Sequence, residues 1–414
     1  MEEIDGNGAG EVSHIKQDNI LRHLEISVSE SEKRANSTLN LRDYHTVYLI
    51  EVKVTDSELI NNRKLVKLSS VWRRYTEFEQ LRDYLAATYA YTVIPPLPEK
   101  RVMFGWQKTS TDTFDPNFVD RRRAGLENFL LRIAAHPILG WDKHYLDFLQ
   151  SEDGWRESHK RNGYLQLVEN TLKHLSVSVR LKKAGGEFDT LKNYSISLHT
   201  NLNNLLKARS RVAERQFTIY KLHANYGRVF SEWSVVEKDM GDALQKTGHY
   251  LDSLSSSIDG VLEDEEILID QLKEYLFFAD SLQRLCKQHE LLQLRLEAAE
   301  DNVNNKNIER TKAQQGKISL MSRLFGSVDT EELRELKLNV LDQQIEEGSD
   351  LVIKNRENLR EFTNKALEDV DIFQKQKIVD LKDILTSYAF LQLKTAKKNL
   401  QTWTQVRDCL LNIT

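Results

Sequence analysis

The sequence predicts a small α+β head joined to a long all-α arm, and three observations carry that reading. All five prolines lie between residues 95 and 137. Before residue 76 the chain holds three segments rich in β-branched and aromatic residues. Beyond Gly154, apolar residues recur at spacings of three and four almost to the end. Proline costs about 3 kcal/mol inside a helix, so the proline-free stretch from 138 to 414 permits very long helices.

In the head, the predicted strands are Leu24–Ser29, Thr46–Val54 and Leu65–Tyr75. Asp56–Lys64 between the last two is polar and turn-like. An amphipathic helix is predicted from Thr76 to Tyr89, with Phe78, Leu81 and Leu85 on one face. The segment VIPPLPEK (93–100) is extended, because each proline pushes its predecessor out of the helical region. A second helix starts at Asp115-Pro116, a capping residue followed by proline at the first helical position. It buries Phe118, Leu126, Phe129 and Ile133 and stops before Pro137, and a short helix, Asp142–Gln150, closes the head.

The arm reads as three helices of about 60 to 80 residues, each on the order of 100 Å long. One apolar stripe runs Leu191, Tyr194, Leu198, Leu205, Val212, Ile219, Tyr226, Phe230, Trp233, Met240, Leu244. A second, heptad-like stripe starts at Ile258 and includes the polar residues Glu265, His289, Gln293 and Glu300. A third runs from Leu359 to Leu410. Breaks are expected near Gly248–Ser257 and Gly316–Asp329. One bundle of this length leaves apolar flanks, which antiparallel dimerisation covers. Polar groups on the seam are expected to bias the choice of partner.

Composition removes several function classes. With 414 residues the chain exceeds one ordinary core. At 40% apolar and 29% charged residues it is globular and helix-rich rather than disordered. No run of 18 apolar residues exists to span a bilayer, so membrane contact is expected to be peripheral. The N-terminus (MEEIDGNGAGEVSHIKQ) lacks the apolar core of a signal peptide. Cys286 and Cys409 form no CxxC or disulfide pattern, which fits a reducing cytosol. The net charge of −5 is segregated: residues 207–228 hold six Lys/Arg and one Glu, whereas 252–280 hold nine Asp/Glu and one Lys. Such blocks argue against a uniformly basic nucleic-acid binder. No phosphate loop, HExxH or GxSxG motif is present, and His223 and His289 fall at helical seam positions. No catalytic residue, metal site or cofactor is expected.

The segment SVWRRYTEF (70–78) is the first candidate for binding chemistry. A strand ends in two arginines and a tyrosine, and a helix starts at once. A guanidinium grips phosphate oxygens in paired bonds, and an aromatic ring can floor a sugar-like ring. Lys100 follows the stiff PPLP segment, and Arg122 lies within Arg121-Arg122-Arg123 on the second helix. Three separate elements thus each supply a cation, as a multiply phosphorylated headgroup requires.

The order RRY-x-EF-x-x-L, PPLP-x-K, DRRR-x-GLENFL-x-R-x-x-x-HP resembles the PX domain of sorting nexins over about residues 20–150. Stretches such as NYGRVFSEWSVVEKDMGDALQ (225–245) and EDEEILIDQLKEYLFFADSLQ (263–283) are similar to the BAR region of the PX–BAR subgroup. The resemblance implies a PX domain, with a three-stranded sheet plus helices, followed by a three-helix BAR coiled-coil bundle. Residues 1–20 are then a flexible leader, 21–152 the PX domain, 160–186 an amphipathic linker helix and 187–414 the BAR domain. It implies that Arg74 binds the 3-phosphate, Tyr75 floors the inositol ring, Lys100 contacts the 1-phosphate and Arg122 grips the 4- and 5-hydroxyls. The implied ligand is phosphatidylinositol 3-phosphate.

Val102, Met103, Phe104 and Trp106 form an apolar cluster on an aperiodic loop. The resemblance implies that this loop enters the bilayer interface, where Trp is at home; the other reading is that Phe104 and Trp106 cover the head's own core. Leu165, Val168, Leu172, Leu175 and Val179 make the apolar face of a basic amphipathic helix fit for an anionic membrane surface or for packing on the bundle. Lys207, Arg209, Arg211, Arg215, Lys221, Arg228 and the cations Lys306, Arg310, Lys312, Lys317 and Arg323 are candidates for the arm's lipid-facing side.

Together these readings predict a cytoplasmic protein held peripherally on early or recycling endosomes. Its expected partners are endosomal lipids, cargo proteins, and a second copy or another PX–BAR sorting nexin, with no nucleic acid. Its expected work is tubule-based recycling, retrograde and autophagy-related transport. The rival reading is a helical protein–protein scaffold without direct membrane remodelling.

Overall fold

The computed structural model describes residues 19–35, 44–56, 65–101, 103–104, 114–151, 155, 186–315 and 331–413. They divide into two compact units, Met1–Leu81 with Leu126–His159, and Arg82–Gly125 with Lys160–Thr414.

In the first unit, β1 (Leu24–Ala35), β2 (Tyr44–Val54) and β3 (Leu68–Arg74) form an antiparallel sheet in the order β1-β2-β3. Leu24, Ile26 and Val28 are buried and alternate with more exposed residues, the period-two signature of a half-buried strand. The register shifts between Val28 and Glu30, a bulge that bends the strand, and the Val28 N–H donates to Glu127 Oε2 at 2.7 Å. β3 starts at Leu68 rather than the expected Leu65. The side-chain amide of Gln150 takes both backbone groups of Val66, at 3.0 Å each, so that residue is satisfied outside the ladder. Tyr75 opens a helix instead of ending the strand.

The helices are α1 (Tyr75–Thr88), α2 (Pro116–Ala135) and α3 (Lys143–Gln150), and the unit boundaries fall within α1 and α2. Asp142 caps α3 by accepting from the Tyr145 N–H at 2.8 Å. The core of this unit is aromatic: Phe78 lies 6.4 Å from Phe129 and 5.1 Å from Phe148, and Phe148 lies 5.0 Å from Trp155, measured between ring centroids. Ile20, at the end of the expected leader, is fully buried and follows Asn19, which caps a single 3-10 turn.

The second unit contains α4 (Glu187–Ser234), α5 (Gly241–Ser256), α6 (Ile258–Gln314) and α7 (Glu331–Leu411). With 81 residues, α7 runs for about 120 Å. The break expected near Gly248–Ser257 falls at the far end of that range, at Ser257, and a further, unexpected break reverses the chain at residues 235–240, while Gly248 lies inside α5. There α5 crosses α4 so closely that a Cβ on Gly248 would sit 2.5 Å from the Gly227 carbonyl oxygen. A glycine that reads as a helix stop is in fact a point of backbone contact. Only Ser257 separates α5 from α6. The long helices are thus α4, the α5–α6 pair and α7, with α6 packed against both α4 and α7. Their main core includes Leu206, Tyr275, Leu282, Cys286, Ala366 and Phe373. Val93 joins this core, and its N–H donates to the buried carboxylate of Asp369 at 2.7 Å.

Along its middle, α4 buries residues beside the first apolar stripe rather than the stripe itself. Leu202, Leu206, Ala213 and Tyr220 of α4 are buried. Leu205, Val212, Ile219, Tyr226 and Trp233, spaced by seven, are between 44 and 59% exposed. The polar seam is also used within the chain. Glu265 bonds Arg209 and Gln392, and His289 stacks on Phe188 with centroids 3.9 Å apart. Glu265 and His289 thus already have partners within the chain.

Candidate lipid-binding site

At the end of β3 the fold gives two adjacent arginines opposite fates. Strand alternation turns Arg73 inward, where it is completely buried. Its Nε and Nη2 donate to the Phe148 carbonyl at 3.1 and 2.9 Å, and Nη2 also reaches the Ser151 carbonyl. Its guanidinium lies over the rings of Phe148 and Trp155 and 3.8 Å from Glu77 Oε1. Arg74 is exposed, and Tyr75 beside it is half-buried. The Arg74 N–H donates to Glu77 Oε2 at 2.8 Å, so one carboxylate meets the buried arginine and pins the backbone of the exposed one.

In the second unit, Val93–Leu97 is buried and the chain reaches the surface at Lys100. Glu99 Oε2 accepts from the Met103 N–H at 2.9 Å and so closes the turn that carries Lys100. Asp115 caps α2, accepting from the Phe118 N–H at 3.0 Å, with Pro116 at the first helical position as expected. Arg122 lies one turn on, its guanidinium 4.2 Å from the centre of the Phe118 ring. Its Nη2 donates to the Lys100 carbonyl at 2.8 Å. Loop and helix can meet this closely because position 125 is glycine: a Cβ there would lie 2.6 Å from Pro98 Cβ. The flanking arginines are taken up elsewhere. Arg121 Nη1 bonds Glu266 Oε2 at 2.6 Å, and Arg123 pairs with Asp120 at 2.9 Å.

Of the apolar loop, Met103 is exposed, while Phe104 is half-buried against the main core of the second unit with φ at 60°. Val102, Trp106 and the amphipathic face Leu165, Val168, Leu172, Leu175 and Val179 lie outside the described residues. Among the arm cations, Lys207, Arg211, Arg215 and Arg228 are exposed. Arg209 is corrected: it is buried between Glu265 and Glu266 and faces no lipid. Lys317 and Arg323 lie outside the described residues. Among the described residues, no helix is long and apolar enough to cross a membrane.

Sequence reasoning missed the carboxylates that organise this chemistry. Glu77 stands four residues after Arg73, a spacing that announces a pair. Glu99 and Glu266 gave no such signal, because their cationic partners are remote in sequence, whereas Asp270 stands three residues before its partner Lys273.

A PX domain family profile matches residues 62–152. Sorting nexin-4 of Bos taurus is 45% identical over 97% of this chain and 90% of its own length. The chain belongs to the sorting nexin family. The Homo sapiens sorting nexin-4 is also 45% identical, over 98% of this chain and 92% of its length. Sorting nexin-30 of Xenopus tropicalis is 28% identical over 70% of this chain. The cryo-EM structure of the SNX-BAR Mvp1 tetramer superposes with a TM-score of 0.63 at 19% identity, covering 92% of this chain and 99% of that one. At that identity the likeness speaks for the fold. This sorting nexin combines a PX domain with a helical BAR-like arm, the make-up of a non-enzymatic membrane-trafficking family.

Proposed function

We propose that this sorting nexin binds phosphatidylinositol 3-phosphate on the cytosolic face of endosomes and pairs with a second BAR arm to favour curved tubules. Arg74 takes the 3-phosphate, Tyr75 floors the inositol ring, Lys100 meets the 1-phosphate and Arg122 the 4- and 5-hydroxyls. The observation that carries the lipid reading is the division at the end of β3: Glu77 holds the Arg74 backbone while the Arg74 side chain stays exposed. A guanidinium on a pinned backbone loses less freedom on gripping phosphate. Pairing is supported by the exposed stripe Leu205, Val212, Ile219, Tyr226 and Trp233, a seven-residue repeat that another helical surface can cover. Two weak lipid contacts in one dimer then gain through effective concentration. In cells, the reading places the chain in endosomal recycling, retrograde and autophagy-related transport.

The test is flotation with liposomes that contain or lack phosphatidylinositol 3-phosphate. Arg74→Ala is expected to abolish the preference for the lipid while leaving the fold intact. An unchanged preference rejects the assignment, and absence of liposome binding by the wild-type chain favours the scaffold reading.

A further inference from the structure

A buried chain of charges in the second unit joins the lipid-reading residues to the arm. Glu266, Asp270 and Lys273 follow one another on one face of α6 at spacings of four and three. Glu266 accepts from Arg121 and also meets the buried Arg209. Asp270 lies 3.7 Å from Arg121 and 3.0 Å from Lys273. Lys273 Nζ lies 3.1 Å from Glu99 Oε1, with only 3 and 8% of the two side chains exposed. Burial works to lower the Lys273 pKa, yet Asp270, Glu99 and Glu266 together raise it. Burial also pushes the Glu99 carboxyl up, against the pull of Lys273. The three carboxylates around Lys273 favour its ammonium form, and Asp270 adds to the upward push on Glu99.

Buried ion pairs seldom add net stability over apolar residues of the same volume, so stability alone does not account for this chain of charges. Fixed geometry is what such pairs can supply. The two groups that α6 holds are Glu99 and Arg121, and each immediately precedes a proposed headgroup residue, Lys100 and Arg122. Glu99 also closes the Lys100 turn through Met103, and Arg122 bonds the Lys100 carbonyl. Both lipid-reading cations are therefore tethered, through one intervening peptide unit, to the same stretch of α6.

We infer that Glu266, Asp270 and Lys273 are positioning residues for the phosphoinositide site, so that the affinity for a phosphorylated inositol headgroup is set partly from within the arm. The inference rests on the reading of Lys100 and Arg122 as headgroup residues. It predicts that changes on α6, which touch no lipid, weaken headgroup binding.

The experiment titrates a soluble short-chain phosphatidylinositol 3-phosphate into the full chain by calorimetry, which removes avidity and membrane insertion from the readout. The paired variant Glu99→Gln with Lys273→Met discharges the buried pair and leaves the partly exposed Asp270 to Arg121. It is expected to bind about tenfold more weakly, the usual scale for losing a supporting shell, with its unfolding midpoint and oligomeric state unchanged. Lys273→Arg, which keeps the charge, is expected to bind like the wild type. Glu266→Gln serves as an independent variant with a smaller loss in the same direction. Arg74→Ala is the reference: if it binds normally, the lipid reading itself fails. If Arg74→Ala abolishes binding while the folded variants among the α6 set keep wild-type affinity, the positioning role is overturned.

Discussion

Two runs of adjacent arginines, Arg73-Arg74 at the end of β3 and Arg121-Arg122-Arg123 on α2, look alike as sequence. The fold divides them by different means. In the first run burial decides: strand alternation sends Arg73 into an aromatic core and leaves Arg74 outside. In the second run pairing decides: Arg121 goes to Glu266 and Arg123 to Asp120, while Arg122 lies over Phe118 and ties down the Lys100 turn. A cation's role is set by which carboxylate, ring or carbonyl its backbone position lets it reach. Glu77 lies four residues from Arg73, whereas Glu266 lies 145 residues from Arg121.

The largest expected effect breaks the first run at its buried member. Arg73→Ala strands Glu77 and two carbonyl oxygens, and is expected to cost about 3–5 kcal/mol in denaturant unfolding. Arg74→Ala is expected to stay within about 0.5 kcal/mol of wild type by the same measurement, its loss appearing only in lipid binding. Equal destabilisation by the two would erase the distinction drawn between them.

A middle-sized effect tests what lets the second run meet its loop. Gly125→Ala places a methyl 2.6 Å from Pro98 Cβ. The proline ring cannot swing aside, so a melting experiment is expected to show a loss of about 1–3 kcal/mol. Soluble headgroup affinity should fall with it, because the displaced loop carries Lys100. The smallest effect belongs to Arg123→Ala. Its partner Asp120 is largely exposed, and such surface pairs contribute below about 1 kcal/mol. A loss as large as that of Arg73→Ala would mean that burial is not what separates the runs.

Local signals read directly. Asp115-Pro116 announced the start of α2, β-branched and aromatic residues announced the strands, and the lack of proline announced the long arm helices. Gly248 misled because a glycine in a helical pattern has two meanings, a stop or a close crossing, and only the approach of Gly227 chooses between them. The stripe from Leu191 to Leu244 left a similar choice open. Periodicity marks an apolar face but does not say whether the chain itself or another surface covers it. Arg209 was legible as a cation and illegible as a buried one, since Glu265 and Glu266 lie more than 50 residues away.

By itself the sequence determined the element types, the order of α+β head before helical arm, and the residues Arg74, Tyr75, Lys100 and Arg122 as candidates. The elements and their order rest on short-range rules of period, capping and proline geometry, and the choice of Arg74 and Arg122 over their neighbours rests on the resemblance to PX domains. The tertiary structure alone decided that Arg73 is a core residue, that Arg209 is internal, and that Glu99 and Arg121 answer to α6. These are pairings across long loops. Their selection depends on desolvation and on where the backbone brings charges together, neither of which is written at any single position.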